Sequence, residues 1–576
     1  MELKDIDYTN IDRMIQGYQY SYLPEGFLLD DLESNLKKVV VKLLKEESKY
    51  CYNFKNSLIE LESIKGVISP SYIFNFGAEP LSFFDFKKNG SYREIQIPNL
   101  IFYIAFMNNS INSSDSIFNK IYSTGNKFTT HSNSYVVFEK EFSIHNSYDK
   151  TVQEIICGEF ATRNNKMVNQ LTTKNRAINY LEKMSSNLFV LKLDIESFYP
   201  NIYTHLLSQV KYMKPYIGLI SNSDYFEFLD RYNMKINSNQ TKGIMSGCFS
   251  SNVSSELLML CVDYEISEYI EDLNVKYIRY VDDFTFFSDS KEQLMIIIAF
   301  VQKVLNKYKL RINHNKTEVC ENILFEDSLD FNNIEHDFIL IKEIWNSYED
   351  FIQLKRLFKG YLELSKISEI KVLLTRIARK IRDKEFDLTN VDNVSEYMIN
   401  YLLQLMFYDS NLAVNCYKVL LELLKYCNSQ SIDKEQLIKC LTNKSTWINE
   451  RYANTLIQIW HYYLLNKFGT SNDIHHYFSD LLKLTDEQNE SINPLVLVSF
   501  IQKGDNNNRN IFNYILREYK KEIKTATDWK SSIMLSKWWL PLIRIRNVDQ
   551  TNYQKFYSSQ HFNSLWTEIS STVNEF

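Results

Sequence analysis

The sequence predicts an α+β fold for residues 61–325, a helical extension over 1–60 before it, and an all-α part over 326–576 after it. Three observations carry this prediction. The chain holds only 13 glycines and 8 prolines in 576 residues, where average usage is roughly 7% and 5%. Folds that need many tight turns are hard to build from so few turn formers, which excludes β-sandwiches, propellers, collagen and low-complexity linkers. The breakers are also unevenly spread. Beyond residue 320 only Gly360, Gly469, Gly504, Pro494 and Pro541 remain, so long helices with polar connections are expected there. Finally, strand patterns ending in acidic residues lie before residue 290.

Composition narrows the class. A hydrophobic share of 45% allows a large core and excludes global disorder. The length suggests three or four domains. With 65 basic and 71 acidic side chains the net charge is −6. That balance weighs against a tight, passive nucleic-acid binder but leaves room for a local basic channel. The opening MELKDIDYTN lacks the basic-then-apolar pattern of a secretory signal. Apolar runs such as Met295–Val301 fall far short of the ~20 residues that span a bilayer. Eight cysteines without a Cys-x-x-Cys pair read as reduced thiols. A cytoplasmic protein without membrane contact is expected.

Along the chain, residues 1–60 read as mostly helical, for example Leu28 to Glu47, with Tyr18, Tyr20 and Tyr22 close together near the start. Leu188 to Leu193 reads as a buried strand ending in Asp194, followed by Phe198-Tyr199-Pro200 and a helix carrying His205. Gly243 to Asn252 is a glycine-containing loop that opens a helix over about Val253–Glu271. Bare backbone there lets a base or sugar approach, although a loop before an ordinary core helix accounts for it equally. Val275 to Phe287 is a strand–turn–strand pattern around Asp282-Asp283. Two adjacent carboxylates held at such a turn repel each other unless cations sit there, and hard divalent cations suit oxygen ligands. An exposed hairpin turn is the plainer alternative. Asp194, at a strand end, joins the pair if the strands are neighbours, which assembles a cluster able to hold two metal ions. A helix over Ser290–Tyr308 carries Leu294, Ile297, Ile298, Val301, Val304 and Leu305 on one face. Leu310 to Thr317 follows, with Lys316 either serving a leaving group or standing as a solvated loop lysine.

In this order and spacing, the four segments resemble motifs A to D of the reverse-transcriptase palm. Lys87 to Pro98, with Gly90 between basic residues, resembles the fingers segment that grips the incoming triphosphate. The resemblance covers about residues 80–320. It implies a ferredoxin-like palm sheet with fingers. It assigns Asp194, Asp282 and Asp283 as metal-binding carboxylates, with the Ile195 carbonyl as a further ligand, and Mg²⁺ as the ion with Mn²⁺ as the alternative. Lys87, Arg93, Tyr199, Gly247 and Lys316 become nucleotide-binding residues, and Tyr199 the aromatic gate that clashes with a ribose 2′-hydroxyl. Tyr-Val-Asp-Asp at 280–283 argues against an RNA-synthesising polymerase. Met245-Ser246-Gly247 stands where templated members carry Pro-Gln-Gly, a departure that bears on template use.

The chain as a whole resembles the bacterial abortive-infection reverse transcriptases, a phage-defence group whose polymerase core is joined to a HEAT-like helical repeat domain. Asn126-Lys127-Phe128, Ile202-Tyr203-Thr204-His205, the Gly-Ile-x-x-Gly form at 243–247 and Glu256-Leu257 carry this narrower match. It implies dNTPs as substrates, untemplated synthesis of single-stranded DNA primed by a protein tyrosine and left covalently attached, and homo-oligomers. No tyrosine is singled out as the primer. An RNA-templated enzyme with a bound RNA and a catalytically silent oligomeric scaffold are the alternatives. Helices are expected at about 351–366, 368–384, 394–408, 412–427, 433–442, 445–467 and 508–524. The basic residues of Ile370–Lys384 read as a solvated face or a DNA guide, and Trp529, Trp538 and Trp539 as core.

Overall fold

The computed structural model describes residues 17–18, 20, 22–24, 77–87, 91–100, 102–103, 105–107, 109–110, 117, 187–217, 224–322, 348–383, 394–427, 434–488, 490–502, 505, 507–523 and 533–548. The expected helix at 28–47, the hairpin tip Lys88-Asn89-Gly90, Asn126-Lys127-Phe128 and Trp529 lie outside these residues.

Strands β1 (Leu81–Phe86) and β2 (Tyr92–Ile97) form an antiparallel hairpin. The central sheet contains β3 (Phe189–Asp194), β4 (Val275–Tyr280), β5 (Asp283–Ser288) and β6 (Glu318–Glu321), in the order β4-β5-β3-β6 and antiparallel throughout. Between β3 and β4 run α1 (Phe198–Asn201), α2 (Thr204–Gln209), α3 (Asp224–Ile236) and α4 (Phe249–Ile270), and α5 (Lys291–Lys307) joins β5 to β6. Reduced to β3-α4-β4-β5-α5-β6, this is the βαββαβ order of a ferredoxin-like sheet.

Alternation in the strands sorts side chains to the two faces. Leu191, Leu193, Phe284 and Phe286 join the main core, while Val190, Ile278 and Phe287 form a small cluster with Cys320 on the other side. Helix α5 begins at Ser290, whose hydroxyl accepts from the Gln293 N–H at 3.3 Å, and it buries Leu294, Ile297, Val301, Val304 and Leu305, the face expected from the sequence. Helix α4 departs from the expected single stripe. It is buried on nearly every side, Glu256 and Asp263 included.

The second part contains α6 (Tyr348–Glu363), α7 (Ile367–Arg382), α8 (Val394–Tyr408), α9 (Ala413–Cys427), α10 (Lys434–Thr442), α11 (Ser445–Arg451), α12 (Leu456–Phe468), α13 (Ser471–Gln488), α14 (Pro494–Phe500), α15 (Asn507–Ile523) and α16 (Trp539–Val548). Helix α7 packs on α9, α9 on α12, α12 on α14 and α14 on α16, which makes a row of successive neighbours. The helix expected at 445–467 is two helices. Asn454 takes a left-handed φ of 59°, and the Thr455 hydroxyl bonds to the Tyr452 carbonyl at 2.7 Å, so the chain turns between α11 and α12. Lys380, read with the basic face of its helix, is buried. Trp538 and Trp539 are core, as expected. The helices at 471–488, 494–500 and 539–548 were not anticipated.

The hairpin is seated on this helical part. Phe84 N–H donates to the Asn454 carbonyl at 2.9 Å, Asn493 Nδ2 to the Ser82 carbonyl at 2.9 Å, and Asn411 Nδ2 to the Lys87 carbonyl at 3.2 Å. One hydrophobic core runs through both parts. Among the described residues no helix is long and apolar enough to cross a membrane, and Cys248, Cys261, Cys320, Cys416 and Cys440 are free thiols.

Candidate active site

The sheet brings the three aspartates to one end. Asp194 closes β3 and is the register partner of Asp283, the first residue of β5. Directly opposed residues of an antiparallel pair share a face, with Cβ atoms about 4.5–5.5 Å apart. Asp282 precedes Asp283 in the two-residue turn that joins β4 to β5, and its carbonyl accepts the Ile195 N–H at 3.3 Å. Burial and the neighbouring Asp283 and Asp194 carboxylates push the Asp282 carboxyl up to about 7. Three carboxylates here lack enough positive charge to offset one another.

The cation present is Lys316. It follows α5 in a short 3₁₀ turn (His314–Lys316), and its Nζ lies 2.9 Å from Asp194 Oδ1, a bond that raises the lysine pKa. Lys316 is therefore no free loop lysine, although its side chain remains largely exposed. Asn313 Nδ2 donates to Asp194 Oδ2 at 3.1 Å, and Asn313 N–H to the Asp194 carbonyl at 2.8 Å. Among the described residues no group of three His, Cys, Asp or Glu side chains is drawn together as a ready metal cage. The donor set nonetheless fits a hard dication. Its side-chain donors are carboxylates, their mutual repulsion is expressed at Asp282, and a monovalent ammonium already bonds to Asp194.

Tyr199, on α1, is half-buried. Its hydroxyl donates to Asn252 Oδ1 at 2.5 Å, which fixes the ring against α4. Gly243 and Gly247 have φ of 87° and 97°, backbone states that favour glycine. Gly247 is closely packed on its side-chain side. A Cβ there would lie 2.9 Å from Ile95 Cγ2 and 3.2 Å from Tyr20 Cδ2. Strand β2 closes onto the same loop through Gln96 N–H to the Ser246 carbonyl at 3.1 Å, and residues near the start close onto it through Phe249 N–H to the Gly17 carbonyl at 3.1 Å.

Arg93 is exposed on β2. Its Nη2 donates to the Tyr20 hydroxyl at 3.0 Å and pairs with Asp85 at 3.4 Å, and Tyr20 in turn donates to Asp85 Oδ2 at 2.8 Å. Lys87 follows β1, and its N–H closes the hairpin on the Ser91 carbonyl at 2.8 Å. The structure thus gathers Asp194, Asp282, Asp283 and Lys316, while Arg93 and Lys87 stand on the fingers hairpin. Sequence reasoning gave no role to Asn313, Asn252, Asp85 or Tyr20. Asn313 and Asn252 lie within the segments read as motifs D and B, so proximity to named residues was the signal that could have found them.

The family model for reverse transcriptase (RNA-dependent DNA polymerase) matches residues 140–353, a stretch containing all three aspartates and Lys316. Over that stretch the chain is similar to reverse-transcriptase domains. Retron Ec83 reverse transcriptase of Escherichia coli is 26% identical over 134 residues, which is 23% of this chain and 43% of that protein. Retron Se72 reverse transcriptase of Salmonella heidelberg is 29% identical over 133 residues, 23% of this chain and 33% of that protein. The chain thus spans less than half the length of these relatives. Among solved structures, apo telomerase from Candida tropicalis aligns with 70% of this chain and 68% of its own, at 13% identity and a TM-score of 0.29, too low to argue from.

Proposed function

We propose that the chain is a metal-dependent DNA polymerase of the reverse-transcriptase family that makes single-stranded DNA from dNTPs, without a template and primed by a protein tyrosine, in bacterial abortive-infection phage defence. The observation that carries the polymerase reading is the register pair Asp194–Asp283 with Asp282 beside it. Asp194, Asp282 and Asp283, with the Ile195 carbonyl, would hold two Mg²⁺ or Mn²⁺ ions. Such a pair lowers the pKa of an attacking hydroxyl and stabilises charge on the phosphate. The attacking oxygen bonds to the α-phosphorus as the α–β bridge breaks and pyrophosphate leaves. Lys316 is within reach to neutralise or protonate that leaving group, Arg93 and Lys87 bind the triphosphate, Gly247 lies beside the nucleotide, and the Tyr199 ring, braced by Asn252, excludes a 2′-hydroxyl.

Template-free synthesis draws support from the loop at 245–247. It lacks Pro-Gln-Gly, and β2 and Tyr20 close onto it. In this reading the chain divides into an extension (1–60), fingers and palm (61–325) and a HEAT-like repeat domain (326–576). The row α7, α9, α12, α14, α16 is the arrangement that stacked helix pairs produce. The protein works in the cytoplasm as a homo-oligomer, with its product covalently attached.

Purified protein is incubated with Mg²⁺ and labelled dNTPs, with neither template nor primer. Label that stays on the protein after denaturation, and is absent in Asp282→Asn, is the expected result. Product formed only when RNA is added favours a templated enzyme, and no incorporation under either condition favours a silent scaffold.

A further inference from the structure

We infer that Arg279 is a positioning residue that holds the Asp282 turn in a backbone state Val281 would not keep alone, and that it refers this turn to the helix that also braces the sugar gate. The inference rests on the polymerase reading above. Arg279 lies on β4 and is fully buried. Its guanidinium donates from Nη1 and Nη2 to the two Glu256 carboxylate oxygens at 3.0 and 2.9 Å, and from Nε and Nη2 to Asp263 Oδ2 at 2.9 and 2.7 Å. The Tyr277 hydroxyl adds a bond to Asp263 Oδ1 at 3.1 Å.

Two carboxylates would suffice to satisfy an arginine that merely fastened β4 to α4. Arg279 Nη1 also donates to the Val281 carbonyl, at 2.9 Å. Val281 has φ of 57° in the two-residue turn between the paired residues Tyr280 and Asp283. A positive φ at the first turn position ordinarily calls for glycine, and a β-branched residue there is an outlier. Strained backbone of this kind persists only where its surroundings over-determine it, and it gathers at functional sites. The residue after Val281 is Asp282. A relaxed Val281 would swing the Asp282 carboxyl relative to Asp194 and Asp283.

The helix side of the network is equally specific. Glu256 and Asp263 lie four and eleven residues after Asn252, which bonds the Tyr199 hydroxyl. At 3.6 residues per turn these spacings put all three on one face of α4. One buried helix face thus sets both the sugar gate and the metal-bearing turn.

The test uses the full-length protein with Arg279→Lys, Val281→Gly and the double variant. Lysine keeps the charge for Glu256 and Asp263 but lacks the fork that reaches Val281 as well. Glycine accepts the turn without strain. Two quantities are read: Mn²⁺ dissociation constants by electron paramagnetic resonance, and dNTP incorporation. R279K should weaken Mn²⁺ binding and incorporation by roughly 10–100-fold, and R279K/V281G should recover most of the loss. A double variant no better than R279K, or an R279K protein with wild-type Mn²⁺ affinity and rate, overturns the inference. If R279K does not fold, Glu256→Gln with and without Val281→Gly gives the same pattern at smaller amplitude or overturns it. A wild-type protein that binds Mn²⁺ but incorporates nothing sinks the polymerase reading, and the Mn²⁺ comparison still judges Arg279.

Discussion

Asp282→Asn should make the metal-free protein more stable while abolishing synthesis. In the native protein the Asp282 carboxyl is pushed from 3.8 to about 7, first by burial and then by Asp283 and Asp194. A rise of that size corresponds to about 4 kcal/mol between the ionised and neutral forms, which partial solvent contact at the turn trims to about 2–4 kcal/mol. The folded-state pKa lies above the unfolded one. The contribution of this group to stability is therefore complete below about pH 4 and lost as pH rises through about 7. Asparagine keeps the shape of the neutral acid. The variant should match the wild type near pH 4 and exceed it by about 2–4 kcal/mol at pH 8. Thermal unfolding in EDTA measures this, with a rise in Tm of roughly 5–10 °C if fingers and palm unfold as one unit. Mg²⁺ at pH 8 should narrow the gap, because it stabilises the wild type more. Equal stability at pH 8 in EDTA, or a less stable variant, would refute the idea that these carboxylates repel one another.

Three further outcomes are expected. Lys316→Met should lower single-turnover incorporation by roughly 100-fold with little change in Tm, since the lysine is largely exposed; an unchanged rate removes it from the chemistry. Tyr199→Ala should admit ribonucleotides while Tyr199→Phe, which keeps the ring but loses the bond to Asn252, keeps most of the discrimination; competition between dNTP and rNTP measures both, and unchanged selectivity in the alanine variant sinks the gate. Gly247→Ala forces a side chain onto φ of 97° and against Ile95; urea unfolding should show a loss of about 1–3 kcal/mol, and wild-type stability would mean that the loop moves freely.

Much of the catalytic end was legible because its signals are local. A short apolar run marks β3, β-branched and aromatic residues mark β4 and β5, and an acidic pair set between two apolar strands points to a bound cation. The pairing of Asp194 with Asp283 followed once those strands were neighbours. Residues whose role depends on distant packing were not legible. Tyr20 meets Arg93 across 73 residues of sequence, and nothing local marks it among 39 tyrosines. Glu256 and Asp263 sit in a helix that reads as ordinary core, and their purpose appears only when β4 brings Arg279 against them. The break between α11 and α12 was hidden for a related reason. Asn454 and Thr455 are unremarkable in a helical pattern until the Asn454 carbonyl is seen to receive the Phe84 N–H.

That last bond belongs to a seam that limits how the molecule can move. Ser82, Phe84 and Lys87 of the fingers hairpin are each fastened by hydrogen bonds to a different turn or helix start of the helical part: Asn493, Asn454 and Asn411. Swinging the hairpin by itself would break these bonds together. The β1–β2 hairpin and the helical stack should therefore move together, and the Gln96 N–H bond to the Ser246 carbonyl carries that motion to the loop before α4. Under the proposed function, a force that bends the stack would be felt as a change in grip on the nucleotide.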